Sequence, residues 1–148
     1  MAQLSDVEVK KRYLNSYKKL CTKISCLEEQ KISLIETMYT VKGNPLSDMP
    51  RCRKKRDLSD VLIIVETIKE SLFEKYIECI VRKVQIESIV LKLENGTHGK
   101  IIRKKFLEFM TIDRIASDIG YSIAQTNRFL SEAINLIPLD DIPNEFKN

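Results

Sequence analysis

The chain has 148 residues, of which 43% are hydrophobic and 31% charged, with only four Gly and four Pro. This composition favours long helices and argues against a turn-rich β-sheet protein, so an all-α fold is predicted. The formal net charge of +4 allows an anionic partner without requiring one, because nucleic-acid-binding proteins usually concentrate positive charge on one face.

Cysteine and histidine positions argue against a zinc site. The four cysteines and the single His98 form no CxxC pair and no histidine cluster. The cysteines are interpreted as reduced packing residues of a cytoplasmic protein, and no metal or other cofactor is predicted. The longest apolar run, VLIIV at 61–65, is too short to cross a bilayer, and the N-terminus lacks an apolar signal core, so no membrane contact is expected.

A first long helix is predicted over residues 5–42, which contain neither Gly nor Pro. Apolar residues recur there in steps of four and three, with Lys31 at the one broken position. Such a heptad stripe needs a partner helix. It consists of Tyr13, Tyr17, Leu20, Ile24, Leu27, Leu34 and Met38.

A second long helix is predicted after the segment GNPLSDMP at 43–50, whose two prolines forbid a continuous helix. Its start is expected near Asp57 or Ser59, either of which can cap a helix. Its end is expected near Glu94, where the NG pair at 95–96 would supply a left-handed stop.

The two helices have equal predicted lengths and are joined by one turn, which indicates a long antiparallel hairpin over residues 1–96. The second helix is apolar on more than one face, as in VLIIVETI at 61–68. A homodimer seam, or docking of the C-terminal unit, would cover the excess apolar surface.

A basic run, RCRKKRD, closes the predicted loop at 43–56. Contiguous positive charge can hold phosphates, although such a run is more often a solvated tip. Both interpretations are open for its five basic residues, which are Arg51, Arg53, Lys54, Lys55 and Arg56.

Three shorter helices are predicted after a hinge in the segment NGTHGK at 95–100. The first covers residues 100–110. Its inward side chains are predicted to be Ile101, Ile102, Phe106, Leu107 and Met110, with Lys100, Arg103, Lys104 and Lys105 largely outward.

A tight turn is predicted between the second and third short helices. The second begins at Thr111 and carries Ile112, Ile115, Ala116 and Ile119 at one-face spacing. Gly120 follows, where a tight turn can require a positive φ. The third begins at Ser122, and the inward positions are expected to continue at Tyr121, Thr126, Phe129 and Ala133.

The segment IDRIASDIGYS resembles the helix-turn-helix of bacterial sigma-factor region 4, over about residues 100–137. The full chain resembles phage-encoded, sigma-like late-transcription regulators of the ArpU and RinA type, through RYLNSYKKL…KISCLEEQ and LSDMPR…DLSDV. The resemblance implies a sequence-specific regulator of phage late genes that binds double-stranded DNA in a bacterial host cell and touches RNA polymerase. The chain has no counterpart of the sigma region that melts a promoter, so a complete sigma factor is not expected.

Two features of the sequence depart from that pattern. Thr126 stands where the fold usually places valine or isoleucine, so its buried hydroxyl needs a partner. The third helix also carries little positive charge, with Arg128 opposed by Glu132.

The helix-turn-helix resemblance places the start of the third helix in the major groove. Amide side chains can pair with adenine there and arginine with guanine. The predicted base-contacting residues are Ser122, Ala124, Gln125, Asn127 and Arg128. The alternative is that Ser122 and Gln125 form a capping box, that Arg128 binds a carboxylate of its own surface and that Asn127 is solvated.

Phosphate contacts are predicted on the two preceding helices, because phosphate neutralisation supplies much of the affinity for DNA. The predicted residues are Lys100, Arg103, Lys104, Lys105 and Arg114. Ordinary solubilising charges are the alternative for each of them.

No catalytic constellation is recognisable, so the chain is not expected to be an enzyme: NGTHGK lacks Walker spacing, and no nucleophile has an evident base. The predicted organisation is a hairpin at 1–96, a helix-turn-helix domain at 97–137 and a loosely held tail at 138–148, in which Phe146 is a candidate packing residue. The alternative function is a non-DNA helical assembly or adaptor protein that acts through its hairpin.

Overall fold

The computed structural model describes the backbone of residues 4–42 and 51–148, and the side chains of residues 4–40 and 58–148. Every regular element in these ranges is helical, which confirms the predicted all-α class. Within the same ranges, no helix is long and apolar enough to cross a membrane.

Two long helices form the first part of the chain. Helix α1 covers Asp6–Lys42, as predicted, and helix α2 covers Arg51–Lys92. The prediction that α2 starts near Asp57 or Ser59 was therefore wrong. The last helix-breaking residue of the loop is Pro50, and the Arg and Lys residues that follow it have good helix propensity, so no later cap is needed.

The chain divides into two compact units, and the division cuts across both long helices. One unit contains Met1–Lys19 and Cys79–Asn148, and the other contains Leu20–Glu78. We call them the core unit and the arm unit. The division between residues 96 and 97 that the sequence indicates stays a prediction.

The arm unit is a two-helix hairpin whose α1 and α2 segments run antiparallel. Tyr76 on α2 donates a hydrogen bond to Glu28 on α1, whereas Met38, further along α1, lines a groove with Leu62, which comes earlier on α2. A short row of apolar side chains is buried between the two segments. It consists of Ile24, Leu27, Val65, Ile68 and Leu72.

The core unit contains three further helices, α3 (Gly96–Ile102), α4 (Ile112–Ile119) and α5 (Ile123–Leu136). A π-helical turn at Arg103–Leu107 extends α3. The hydrophobic core draws on the start of α1, the end of α2, α3 with its π turn, α5 and the C-terminal segment. Its buried members are Val9, Tyr13, Leu14, Ile86, Ile89, Ile102, Phe106, Ala133, Ile134, Ile137 and Ile142.

The predicted left-handed stop and hinge at 95–100 are both wrong. Asn95 is extended and caps α3, because its Oδ1 accepts a hydrogen bond of 2.9 Å from the Thr97 amide. Gly99 is buried inside α3, where a Cβ would lie 3.3 Å from Cγ1 of Val90 on α2. The segment is thus the start of a helix packed closely against α2.

The tail is also better held than the sequence indicated. It forms 3-10 turns at Leu139–Asp141 and Asn144–Phe146, and Ile142 between them is buried in the core. Phe146 does pack, edge to face, on Tyr13 at 5.3 Å between ring centroids. The prediction of a loosely held end was therefore wrong, although Phe146 packs as predicted.

Candidate nucleic-acid interface

Gly120 makes the turn between α4 and α5. Its φ of 77° lies in the left-handed region, as the sequence predicted. The Ala116 carbonyl accepts hydrogen bonds from the amides of Gly120 and Tyr121, at 3.0 and 3.1 Å, so the last turn of α4 is closed by backbone groups. The chain then enters α5 after only Tyr121 and Ser122.

Ser122 begins α5 as its N-cap. Its Oγ accepts a hydrogen bond of 3.2 Å from the Gln125 amide. The capping alternative for Ser122 is therefore realised, and one of the two acceptor lone pairs of its hydroxyl is used inside the helix. The reciprocal bond from the Gln125 side chain, which would complete a capping box, is absent from the described residues.

Thr126 is fully buried one turn into α5. Its hydroxyl donates to the Ser122 carbonyl at 2.9 Å. The partner that this hydroxyl needs is thus its own helix, which makes threonine acceptable at an otherwise apolar position.

The outer edge of α5 is exposed and mostly polar, although Ile123 at its start is also 51% exposed. The predicted base-contacting positions are all on this edge, namely Ser122, Ala124, Gln125, Asn127 and Arg128. Within the described ranges, the side chains of Gln125, Asn127 and Arg128 make no hydrogen bond, and Arg128 makes no ion pair. Glu132, which the sequence placed opposite Arg128, lies 3.3 Å from Nε2 of His98 instead. The side-chain donors and acceptors of Gln125, Asn127 and Arg128 are therefore available to a ligand.

A cleft of about 550 Å³ lies between α3 with its π turn and the end of α4. Three of the five predicted phosphate-contacting residues line it, namely Lys100, Arg103 and Lys104. Tyr121, which precedes α5, also lines the cleft, so the basic groups are close to the turn that starts α5.

Carboxylates partly neutralise this cleft. Lys104 Nζ lies 3.4 Å from Asp118, and Arg103 Nε lies 3.1 Å from Glu87 on α2. All four side chains are at least a quarter exposed, so these ion pairs contribute little to stability and can be exchanged for phosphate contacts. Lys100 makes no ion pair in the described part of the chain.

The remaining predicted phosphate ligands lie outside the cleft lining. Lys105 is half-buried in the π turn, and Arg114 is exposed on α4. The basic run of Arg51, Arg53, Lys54, Lys55 and Arg56 has its backbone in the first turns of α2, but its side chains lie outside the described residues.

His98 is the residue whose role the sequence did not indicate. It is buried on α3, its Nε2 faces Glu132 on α5 and its ring lies 6.0 Å from that of Phe129. His98 thereby ties α3 to the exposed helix. A lone histidine near two glycines carries no signal of such a packing role.

Comparison with known protein families gives a match over most of the chain. A family model described as "Protein of unknown function (DUF1492)" matches residues 42–137. The chain belongs to the DUF1492 family. The DUF1492 match runs from the end of α1 through α2 to α5, and so includes the turn at Gly120 and the cleft. No curated protein and no solved structure matches the chain.

Proposed function

We propose that this DUF1492 protein is a sequence-specific, double-stranded DNA-binding regulator of transcription. The observation that carries the proposal is the exposed polar edge of α5, directly after the sharp turn at Gly120. In helix-turn-helix proteins the start of the second helix enters the major groove of DNA. Side chains there that make no contact within the protein are free to contact the base edges.

The base contacts are assigned to Gln125, Asn127 and Arg128. An arginine can donate two parallel hydrogen bonds to guanine, and an amide side chain can pair with adenine. Ser122 and Ala124 lie on the same edge and have shorter side chains. We assign the serine hydroxyl as a hydrogen-bond donor and the alanine methyl as an apolar contact.

General affinity is assigned to the cleft. Lys100, Arg103 and Lys104 supply positive charge beside the start of α5, and Arg114 and Lys105 add charge on the adjoining surface. Non-specific binding to DNA comes largely from the release of counterions when such groups neutralise phosphates.

The test is a titration of the full chain into a fluorescent duplex of random sequence, repeated at rising salt. We expect weak binding at low salt and a linear fall of log K with log salt, with a slope set by the number of phosphates contacted. Selection of bound duplexes from a random pool then gives the preferred site. Absence of binding at low salt would sink the proposal.

The sequence resemblance adds a role to the proposed binding. It favours a regulator of phage late genes that touches host RNA polymerase. Co-purification of the chain with bacterial RNA polymerase, with and without a selected duplex, tests that contact separately from DNA binding.

A second function is favoured by a different observation. Helix α2 exposes many large apolar side chains, among them Ile63, Phe73 and Ile80, which suits a helical assembly or adaptor protein. Such a protein would recruit a protein partner and show no salt-dependent affinity for DNA, so the same titration separates the two functions.

A further inference from the structure

Helix α2 is apolar on two opposite faces within the core unit. Ile86 and Ile89 are buried in the core, whereas Ile80, Val84 and Leu91 are 63%, 59% and 85% exposed. At about 100° per residue these exposed residues share one face, roughly opposite the buried one. A soluble helix normally carries polar residues on that outer face.

The spacing of the exposed residues is that of a pairing seam. Ile80, Val84 and Leu91 are separated by four and seven residues, as in a heptad repeat, and Val81 beside them is 49% exposed. Glu87 occupies the intervening heptad position, and its carboxylate lies 3.1 Å from Nε of Arg103. We call Ile80, Val81, Val84 and Leu91 the α2 stripe.

We infer that the α2 stripe is the contact between two copies of this chain. A seam of branched aliphatic side chains in heptad steps is self-complementary, because the side chains of one helix fit the spaces between those of an identical helix. A second copy therefore offers the matching surface without any further assumption about a partner.

The exposed area fits a weak, transient dimer. The four side chains of the α2 stripe expose on the order of 500 Å² per copy, so two copies would bury at most about 1,000 Å², which is below the roughly 1,200 to 2,000 Å² of stable specific interfaces. The dimer we infer is therefore a weak one that forms and dissociates readily.

The dimer deepens the proposed function, and this step rests on it. Two copies related by a twofold axis would carry two α5 edges, and such proteins bind sites whose halves are symmetric. Each copy contributes few base contacts. Pairing would therefore raise the affinity for DNA and lengthen the recognised site.

The inference is tested by sedimentation velocity of the full chain without DNA, from low to high micromolar concentration. We expect the average mass to rise from that of one chain towards that of two. The double variant Ile80→Glu with Val84→Glu should self-associate at least about tenfold more weakly, because it places charges in the seam. Both positions are exposed in the single chain, so circular dichroism should show unchanged helix content.

Leu136→Glu is the matched control, since Leu136 is an equally exposed apolar residue at the end of α5. It should sediment like the unaltered chain. A chain that keeps the mass of one copy at every concentration, or a double variant that pairs as well as the control, would overturn the inference. Failure to bind DNA would leave this mass measurement unaffected, so the two proposals can fail separately.

Discussion

Arg128 and Lys104 lie on different elements of the proposed DNA-binding surface, α5 and the π turn, and this separation gives them different expected effects. Arg128→Ala should reduce the preference for a selected duplex over a scrambled one by about 1 to 3 kcal/mol, because a base contact is lost. Lys104→Ala should weaken binding to both duplexes by the same factor and lower the salt slope by about one. Dissociation constants for the two duplexes at several salt concentrations measure both effects.

Lys11→Ala is the control for these two variants, since Lys11 is exposed on α1 and does not line the cleft. It removes the same charge and should leave both dissociation constants close to those of the unaltered chain. If Arg128→Ala and Lys104→Ala changed the two constants by the same factor, the division between base and phosphate contacts would be contradicted.

The raised pKa of Tyr13 predicts that the folded chain loses stability at alkaline pH. Burial raises the pKa of Tyr13 above its usual value of 10.0, nearby Arg82 opposes this and Asp141 adds to it. The unfolded chain therefore loses this proton at a lower pH than the folded chain. The stability that the protonated Tyr13 hydroxyl contributes is complete below pH 10, and it is lost as the pH rises through the pKa of Tyr13 in the folded chain.

Urea unfolding of the unaltered chain and of Tyr13→Phe, from neutral to strongly alkaline pH, measures this contribution. Tyr13→Phe loses the hydrogen bond of 3.3 Å to Gln85, so it should be less stable at neutral pH by about 0.5 to 1.5 kcal/mol. The difference between the two chains should shrink above pH 10. A constant difference over the whole range would show that Tyr13 titrates alike in both states.

The turn at Gly120 sets the direction of α5. Replacing this glycine should destabilise the protein only through backbone strain. A Cβ at Gly120 would meet nothing within 4 Å, but φ is +77°. Gly120→Ala should therefore lower the free energy of unfolding by about 1 to 2 kcal/mol through backbone strain alone. Thermal unfolding of the variant measures this loss.

Gly96→Ala is the matched control, because Gly96 also has open space around its Cα and has no positive φ. Its stability should stay within about 0.5 kcal/mol of the unaltered chain. Equal losses in the two variants would mean that the left-handed backbone at Gly120 is not the cause.

The sequence predicted elements well where one local signal decided the structure. Gly120 and Ser122 were placed correctly because a left-handed turn and a helix cap have few alternative residues. The π turn at Arg103–Leu107 and the positive φ of Phe109 were not predicted, because no residue pattern in the sequence indicates either of them. Phe109 stacks on Tyr17 of α1 at 5.7 Å, a contact between residues far apart in the chain.

At the scale of the whole molecule, the core unit joins both ends of the chain. Arg82 on α2 has a buried guanidinium 5.0 Å from the ring of Tyr13 and 4.7 Å from that of Phe146. It also donates to Ser16 on α1 and pairs with Glu145 in the tail. Helix periodicity predicted the hairpin but could not predict this cluster, because Arg82 meets residues of α1 and of the tail that are more than 60 positions away in the sequence.

The tail should therefore contribute to global stability, although its sequence resembles a loose end. Ile142 is 2% exposed in the shared core, so Ile142→Ala should lower the free energy of unfolding by about 2 to 4 kcal/mol through lost burial and a cavity. Leu136→Ala, at a position that is 59% exposed, should cost less than about 0.5 kcal/mol. Urea unfolding monitored by circular dichroism compares the two, and the loss in Ile142→Ala should appear in a transition of the whole core unit. Equal stability of the two variants would mean that the tail lies on the core without closing it.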